Sequence, residues 1–411
     1  MAVTGSITTR FVDEKGLDLG KTLIEKDYLI SVYPNIVNQL DTPALFGWGA
    51  NGYGGLGDNT TNNSNKPIQT ISFGANWKQA ASAGSVYNNL AAIKTDGTLW
   101  VCGKNSNGQL GDNTVTRKSS PVQTVAFGTN WKQVAVGHSV SSLESGHMAA
   151  IKTDGTLWCW GENTNGQLGD NTITKKSSPV QTIAFGTNWK QVACGDSFTA
   201  AIKTDGTLWM WGIGGNGQLG ENKISGSASP VQTFAFGSNW KQVSCGYRHT
   251  AAVKADGTLW CWGENTSGQL GDNTVTKRSS PVQTVAFGTN WKQVSCGYRH
   301  TAAVKTDGTL WCWGTAGLLG DNTAVGNRSS PVQTVTYATN WKQVSCGRNH
   351  TGAIKVDGTL WTWGNNAYGQ LGDFSSSSRS SPVQIYQGGN TWKNISVGCA
   401  NNMFAIKDGD I

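Results

Sequence analysis

Four histidines fall at matching places along the chain: His147, His249, His300 and His350, the last three each separated by two residues from a Cys-Gly step. Imidazoles gathered in space could hold zinc or act as a general base. Their spacing argues against that. The matching positions elsewhere read Asn89, Phe198 and Asn402, and one full unit of chain separates each histidine from the next. The expected role is a structural histidine, hydrogen-bonded within its own unit. His138 lies in an insertion with no evident ligand partner. Carboxylates recur in the same way, at Asp58, Asp112, Asp170, Asp272, Asp321 and Asp373, with Glu221 in the equivalent place of one unit. Calcium needs six or more converging oxygens. One carboxylate per unit, set in Gly-Asp-Asn, reads instead as turn capping.

The nine cysteines contain no C-x-x-C pair. Cys159, Cys261 and Cys312 sit between tryptophans, and Cys194, Cys245, Cys296 and Cys346 precede a glycine, as small buried strand thiols do. No Ser/His/Asp triad, paired carboxylates in an asymmetric cleft, nucleotide loop or HExxH motif appears. The sequence therefore predicts no enzyme, no metal and no cofactor.

Basic residues form three sets. One lysine follows a tryptophan in every unit (Lys78, Lys132, Lys190, Lys241, Lys292, Lys342, Lys393). A second closes an apolar strand (Lys94, Lys152, Lys203, Lys254, Lys305, Lys355, Lys407). A third precedes Ser-Ser-Pro or lies beside it: Arg117, Lys118, Lys175, Lys176, Lys277, Arg278, Arg328 and Arg379. Solvated rim charge is the default for all three. The third set is the candidate contact for an anionic protein or glycan surface.

These residues sit on an internal repeat. The Asp of an Asp-Gly step recurs at Asp96, Asp154, Asp205, Asp256, Asp307, Asp357 and Asp408, at spacings of 58, 51, 51, 51, 50 and 51. The longer second unit holds extra residues around His138 to Gly146. Asp307-Gly308, between Ala302–Lys305 and Thr309–Trp313, is a hairpin turn. Pro281 should start a strand or lie on a sheet edge. Each unit offers about four short strands and no convincing helix. The tryptophans fall into a Trp-Lys-Gln set, from Trp77 to Trp392, and a Trp-x-Trp-Gly set, and are suited to filling gaps between splayed sheets. The first unit begins midway, at Leu45-Phe46-Gly47-Trp48-Gly49, and the last stops at Phe404-Ala405-Ile406-Lys407-Asp408-Gly409. Joined, the halves complete one hairpin. The expected fold is an all-β, seven-bladed propeller over 44–411, closed by pairing a strand near residue 45 with one near 406.

The pattern Trp262-Gly263…Gly268-Gln269-Leu270-Gly271…Pro281…Val294-x-Cys296-Gly297-x-x-His300-Thr301-x-Ala303…Asp307-Gly308 resembles the regulator of chromosome condensation repeat. The resemblance covers about 44–411 and implies a seven-bladed propeller. It also implies relatives that act as interaction modules or as chromatin-bound exchange factors for a Ran-type GTPase. The exchange activity carries over poorly. The blades are nearly interchangeable (Thr124–Gln133 and Thr284–Gln293 match residue for residue), and there is no lysine-rich basic tail.

Composition agrees with this organisation. Of 411 residues, 54 are Gly and 19 are Trp and only 14% are charged, which disfavours helix bundles and long disorder. Net charge is +7, mildly basic and not the dense cluster of a dedicated nucleic-acid binder. No stretch approaches 18 apolar residues, so no transmembrane segment is expected. No signal peptide is evident at the start, so synthesis in the cytoplasm is expected.

Residues 1–43 lie outside the repeat. Ser6–Val12 reads as a strand, Asp13-Glu14-Lys15-Gly16 as a turn, and Lys21–Leu40 as a partly helical stretch broken at Pro34. Such a segment buries little alone. It is expected to attach the propeller to a larger protein assembly, a virus particle or cell-surface component, or to form a homo-oligomer. Phe11, Tyr28, Leu29, Tyr33 and Ile36 are its candidate contacts. The functional expectation is a non-enzymatic structural and interaction propeller. The alternative is guanine-nucleotide exchange or chromatin-linked regulation of a small GTPase.

Overall fold

The computed structural model describes residues 43–71, 76–84, 88–125, 128–137, 146–183, 186–234, 237–285, 288–335, 338–385, 389–397 and 400–408. It also describes the backbone of two short strands nearer the start. Every blade is a four-stranded antiparallel sheet, there are seven of them, and no helix occurs among the described residues. Blade 5 shows the plan. Its innermost strand, Trp291–Cys296, leads to His300–Lys305, then Leu310–Gly314, then the outermost Arg328–Gln333. Asp307-Gly308 makes the central hairpin, with Gly308 at φ 79°. The outer strand pairs on one side only, so Pro331 and its counterparts sit where an amide hydrogen is not required.

The seventh blade joins the ends. Trp392–Ser396 and Asn402–Lys407 pair with Ala44–Gly49 and Ser64–Gln69, and Leu45 lies opposite Ile406. One cross-strand pair of this clasp reverses the usual order of small and large side chains. Blade 5 sets Ala302 opposite Cys312, whereas the clasp sets Phe404 opposite Gly47. A Cβ on Gly47 would lie 2.5 Å from Cε1 of Phe404, so the glycine makes room for the ring. Phe404 is fully buried, with Leu45, Leu56, Trp77 and Leu90 in its cluster.

Indoles fill the seams. Trp131, Trp189, Trp240, Trp291, Trp341 and Trp392 from innermost strands are buried, as are Trp160, Trp211, Trp262, Trp313, Trp363 and Trp48 from the third strands. Trp291 and Trp313, for example, meet edge-on with centroids 6.2 Å apart. The other indole of each Trp-x-Trp pair is only half-buried. Trp311 and its counterparts pack on the second lysine set, so that Lys305 Nζ lies 4.8 Å from the Trp291 ring and 4.7 Å from the Trp311 ring. The same sandwich occurs at Lys94, Lys152, Lys203, Lys254 and Lys355. Those six lysines are therefore held between rings and are not loose rim charge.

The innermost strands leave one backbone edge facing the axis. The glutamine of Trp-Lys-Gln satisfies it across each seam. Gln242 Nε2 donates to the Val294 carbonyl (2.8 Å), and the Val294 amide donates to Gln242 Oε1 (2.9 Å). Gln79, Gln133, Gln191, Gln293 and Gln343 make the same two-way clamp to the next blade. Among the described residues, a second rung joins blades 4 to 5, 5 to 6 and 6 to 7. The amides of Cys296, Cys346 and Val397 donate to the hydroxyls of Ser244, Ser295 and Ser345, where the earlier blades have Ala81, Ala135 and Ala193. The seventh blade carries Asn394, one methylene shorter, at the clamp position.

Near the start, Arg10–Val12 pairs antiparallel with Asp18–Lys21. Arg10–Val12 falls within the expected strand, the expected turn lies outside the described residues, and the strand Asp18–Lys21 was not expected. Phe11 lies in the first of these strands, while Tyr28, Leu29, Tyr33, Ile36 and the expected helical stretch lie outside the described residues.

Two stability measurements follow. Gly47→Cys alone should cost about 1–3 kcal/mol by overpacking, and Phe404→Ala alone about 3–5 kcal/mol. The double variant restores the ordinary Ala–Cys pairing and should recover most of the loss in a denaturant melt; simple additivity would show the pair to be uncoupled. Gln242→Leu, which strands a buried amide and carbonyl, should cost about 2–4 kcal/mol, while Asn394→Gln should raise stability by about 1 kcal/mol.

Candidate interaction faces

The propeller has two unlike faces. On one lie the ends of the innermost strands, at Cys194, Cys245, Cys296 and Cys346 in blades 3 to 6 and at Ala83, Val136 and Ser396 in the others. On the other lie the Asp-Gly turns.

The Cys-Gly face is built over the histidines. Gly297 must lack a side chain, since a Cβ there would lie 2.2 Å from Cε1 of His300. The imidazoles are fully buried. Their hydrogen bonds correct the expectation of contacts within a blade. His249 Nε2 lies 3.0 Å from Thr301 Oγ1 of the next blade, and His147 and His300 pair likewise with Thr199 and Thr351. The reason is the position of the second strand beside the seam. Thr301 donates to the Gln269 carbonyl, which also accepts from Trp313 Nε1. Each threonine hydroxyl thus spends its proton on a carbonyl and accepts one from the imidazole, which assigns Nε2–H as the tautomer. Burial lowers these histidines from the ordinary 6.5 to about 3 for His147, His249 and His350, and to about 4 for His300. They are neutral structural groups.

Above them lies a cluster that follows no seven-fold pattern. The two loop residues before the second strand are Asp196-Ser197 in blade 3 (where Phe198 replaces the histidine), Tyr247-Arg248 in blade 4, Tyr298-Arg299 in blade 5 and Arg348-Asn349 in blade 6. Tyr247 and Tyr298 stack at 4.2 Å and 21°. Arg248 covers the Tyr247 ring at 4.4 Å, while Arg299 and Arg348 lie 5.3 and 5.1 Å from the Tyr298 ring. Two arginines also reach back across seams, Arg248 to Asp196 (3.8 Å) and Arg299 to Glu264 (3.6 Å). Arg248 and Arg299 remain a third and two-fifths exposed. Reasoning from the sequence missed this ladder. The signal was present as the two positions between Cys-Gly and His where the repeats diverge.

The eight basic rim candidates lie on this same face, because Gly263 pairs with both His249 and Arg278. They are strung around the outer edge and not gathered. Lys176, Arg278, Arg328 and Arg379 are tied to Asp170, Asp272, Asp321 and Asp373, and Lys175 to Glu162. Arg117 lies 6.0 Å from the Tyr53 ring. Lys118 and Lys277 have no carboxylate within ion-pair distance among the described residues. The turn aspartates behave as expected. Asp272 accepts from the amide and hydroxyl of Thr274 and from Asn265 Nδ2, and Asn273 beside it takes φ 61°. Among the described residues, no three His, Cys, Asp or Glu side chains gather as a metal site.

The model of the RCC1-like domain matches residues 191–411, and that of the regulator of chromosome condensation (RCC1) repeat matches 44–87, 96–143 and 154–202. The chain belongs to the RCC1 repeat family. It is 34% identical over 289 residues to the ultraviolet-B receptor UVR8 of Arabidopsis thaliana, across 68% of this chain and 63% of the receptor. It is 29% identical over 278 residues to the human E3 ubiquitin-protein ligase HERC2, across 66% of this chain but 6% of the ligase. The chain thus spans less than two thirds of these relatives' own length. Prp20p of Saccharomyces cerevisiae, whose structure was described with its binding to Gsp1p and histones, superposes with a TM-score of 0.78 at 20% identity, across 90% of this chain and 92% of that one. At that identity the likeness speaks for the fold.

Acid should find the histidines. Their native pKa is depressed, so the unfolded chain takes up protons first. Stability is complete above about 6.5 and falls as pH drops towards 3–4, by about 1.4 kcal/mol per pH unit for each histidine. Replacing His249 and His300 by Asn, the residue found in two other blades, should flatten the pH dependence of the urea midpoint below pH 6. An unchanged slope would place the acid sensitivity elsewhere.

Proposed function

We propose that this chain is a non-catalytic interaction module. Its Cys-Gly face docks a protein partner on the Tyr–Arg ladder of blades 4 to 6, and residues 1–43 attach the propeller to a larger assembly such as a virus particle or cell surface. The observation that carries the reading is the ladder itself. Nearly interchangeable blades lose their symmetry where two tyrosines and three arginines come together. Tyr and Arg are the side chains that concentrate binding energy at protein interfaces. Stacking fixes their rotamers beforehand, which lowers the entropy cost of docking. The exposed Arg117 and Lys277 on the same face would favour a partner of acidic character. A propeller of the same fold, Prp20p, binds Gsp1p and histones, which supports protein docking in general terms.

Co-purification of the full chain with its native complex tests this. Arg248→Gln, Arg299→Gln and Arg348→Gln together should weaken the captured partner about tenfold or more, and Arg348→Glu alone, which leaves the pairs to Asp196 and Glu264 intact, should weaken it while the thermal melt stays close to that of the parent. Charge reversal at Arg117, Lys118, Lys277 and Arg278 should weaken it less. Removal of residues 1–43 should abolish incorporation into the assembly yet spare the partner complex. Retention of the partner by the triple variant would overturn the docking face. The exchange alternative is separated by nucleotide release from candidate small GTPases, where no acceleration is expected.

A further inference from the structure

The opposite face has a different electrostatic character. In every blade the register slips after the tryptophan of the innermost strand, so that Trp291 pairs with Lys305 and Gln293 with Val304, and the intervening lysine is left over. The residue set free is the first lysine of the unit: Lys78, Lys132, Lys190, Lys241, Lys292, Lys342 or Lys393. All seven are exposed. Each directly precedes the clamp residue, Gln or Asn394 in blade 7, of an innermost strand, and those strands enclose an axial channel of about 260 Å³ lined by Gln, Asn, Ser, Ala, Val, Ile and Cys, without a charged side chain. The lysines therefore crown one mouth of an uncharged channel.

Among the described residues, little neutralises this crown. The turn aspartates lie further out and are committed to their own threonines, Asp307 for instance to the amide and hydroxyl of Thr309. Their Coulombic partner is the ring-sandwiched lysine two residues earlier, as Lys305 is for Asp307. Among the described residues, the ion pair formed by the crown is that of Lys393 with Asp408. Among the described residues, the other six ammonium groups have no carboxylate within ion-pair distance. On the Cys-Gly face, by contrast, seven cations are paired to carboxylates. A closed ring of like charge around a low-dielectric opening focuses its potential on the axis.

We infer that the lysine crown on the Asp-Gly face is an axial binding site for a compact, multiply phosphorylated group. Its chemistry is that of several phosphates on a small scaffold, close enough together to meet lysines from several blades at once. Free polyphosphorylated polyols and phosphoinositide head groups share that chemistry. The site stands apart from the Tyr–Arg ladder and does not depend on it.

The test is titration calorimetry of the full chain with inositol hexakisphosphate, at low and at physiological salt. One site per chain is expected, weakening with salt. Lys132→Gln, Lys190→Gln, Lys241→Gln and Lys292→Gln together should weaken binding about tenfold or more. A control variant lacking the same number of charges away from the crown, Arg117→Gln, Lys118→Gln, Lys277→Gln and Lys66→Gln (Lys66 is exposed in Ser64–Gln69, the outer strand of blade 7), should bind as the parent does. Equal losses in both variants, or several weak sites per chain, would reduce the crown to diffuse charge and overturn the proposal. Flotation with phosphatidylcholine vesicles, with and without phosphatidylinositol bisphosphate, separates the sources. Crown-dependent flotation assigns the group to a lipid, and binding of the soluble probe alone assigns it to a free anion. Tighter crown-dependent binding of a DNA duplex, displacing the small probe, would overturn the choice of a compact ligand.

Discussion

The innermost strand of each blade has a sheet partner on one side only, and its other edge faces the axis of the ring. Unpaired amides and carbonyls there would be costly, and open to pairing with another chain. The glutamine clamp answers that constraint. A primary amide offers one donor and one acceptor in the geometry of a peptide group, so Gln242 stands in for the missing neighbour of Val294. Everything else about the ring follows from holding seven such edges at the right separation. The indoles fill the wedge that opens outward, and the His–Thr bonds bridge the same seams on the Cys-Gly side.

The repeat, the strands, the Asp-Gly hairpins and the clasp were legible in the sequence because each is encoded by residues near one another in the chain. Asp307-Gly308 specifies its turn without outside help. The seams were not legible. Gln293 sits in a half-exposed strand pattern and looks like solvent-facing polarity until the next blade is placed beside it. His300 was read as bonded within its blade because its partner, Thr351, is a full unit away. Lys305 was grouped with rim charge for the same reason, since one of its two rings, Trp291, belongs to a strand whose position only the sheet register reveals. Tyr247 and Tyr298 lie 51 residues apart and become stacked neighbours only when consecutive blades align.

The two faces divide the electrostatics of the molecule. On the Cys-Gly side, cations are matched by carboxylates and by aromatic rings, giving a surface suited to shape-specific contact. On the Asp-Gly side, the bulge repeated in all seven blades leaves a ring of like charge that is largely unmatched among the described residues. The propeller is thus symmetric in its fold and polar along its axis, so one scaffold can present two chemistries without interference between them.

The pair Gly47 and Phe404 has a consequence for how such a chain finds its end. Nearly identical units create many near-degenerate closures: a shorter ring, a skipped unit, an exchange with a neighbouring molecule. Glycine at 47 leaves a hollow that the alanine of five other second strands, or Gly352 of the sixth, would leave empty. The phenylalanine at 404 would collide with the cysteine, valine, methionine or threonine that the other third strands present. The first strand and the last fit one another better than either fits an interior blade. In that one large-to-small exchange the polypeptide carries a means of counting to seven.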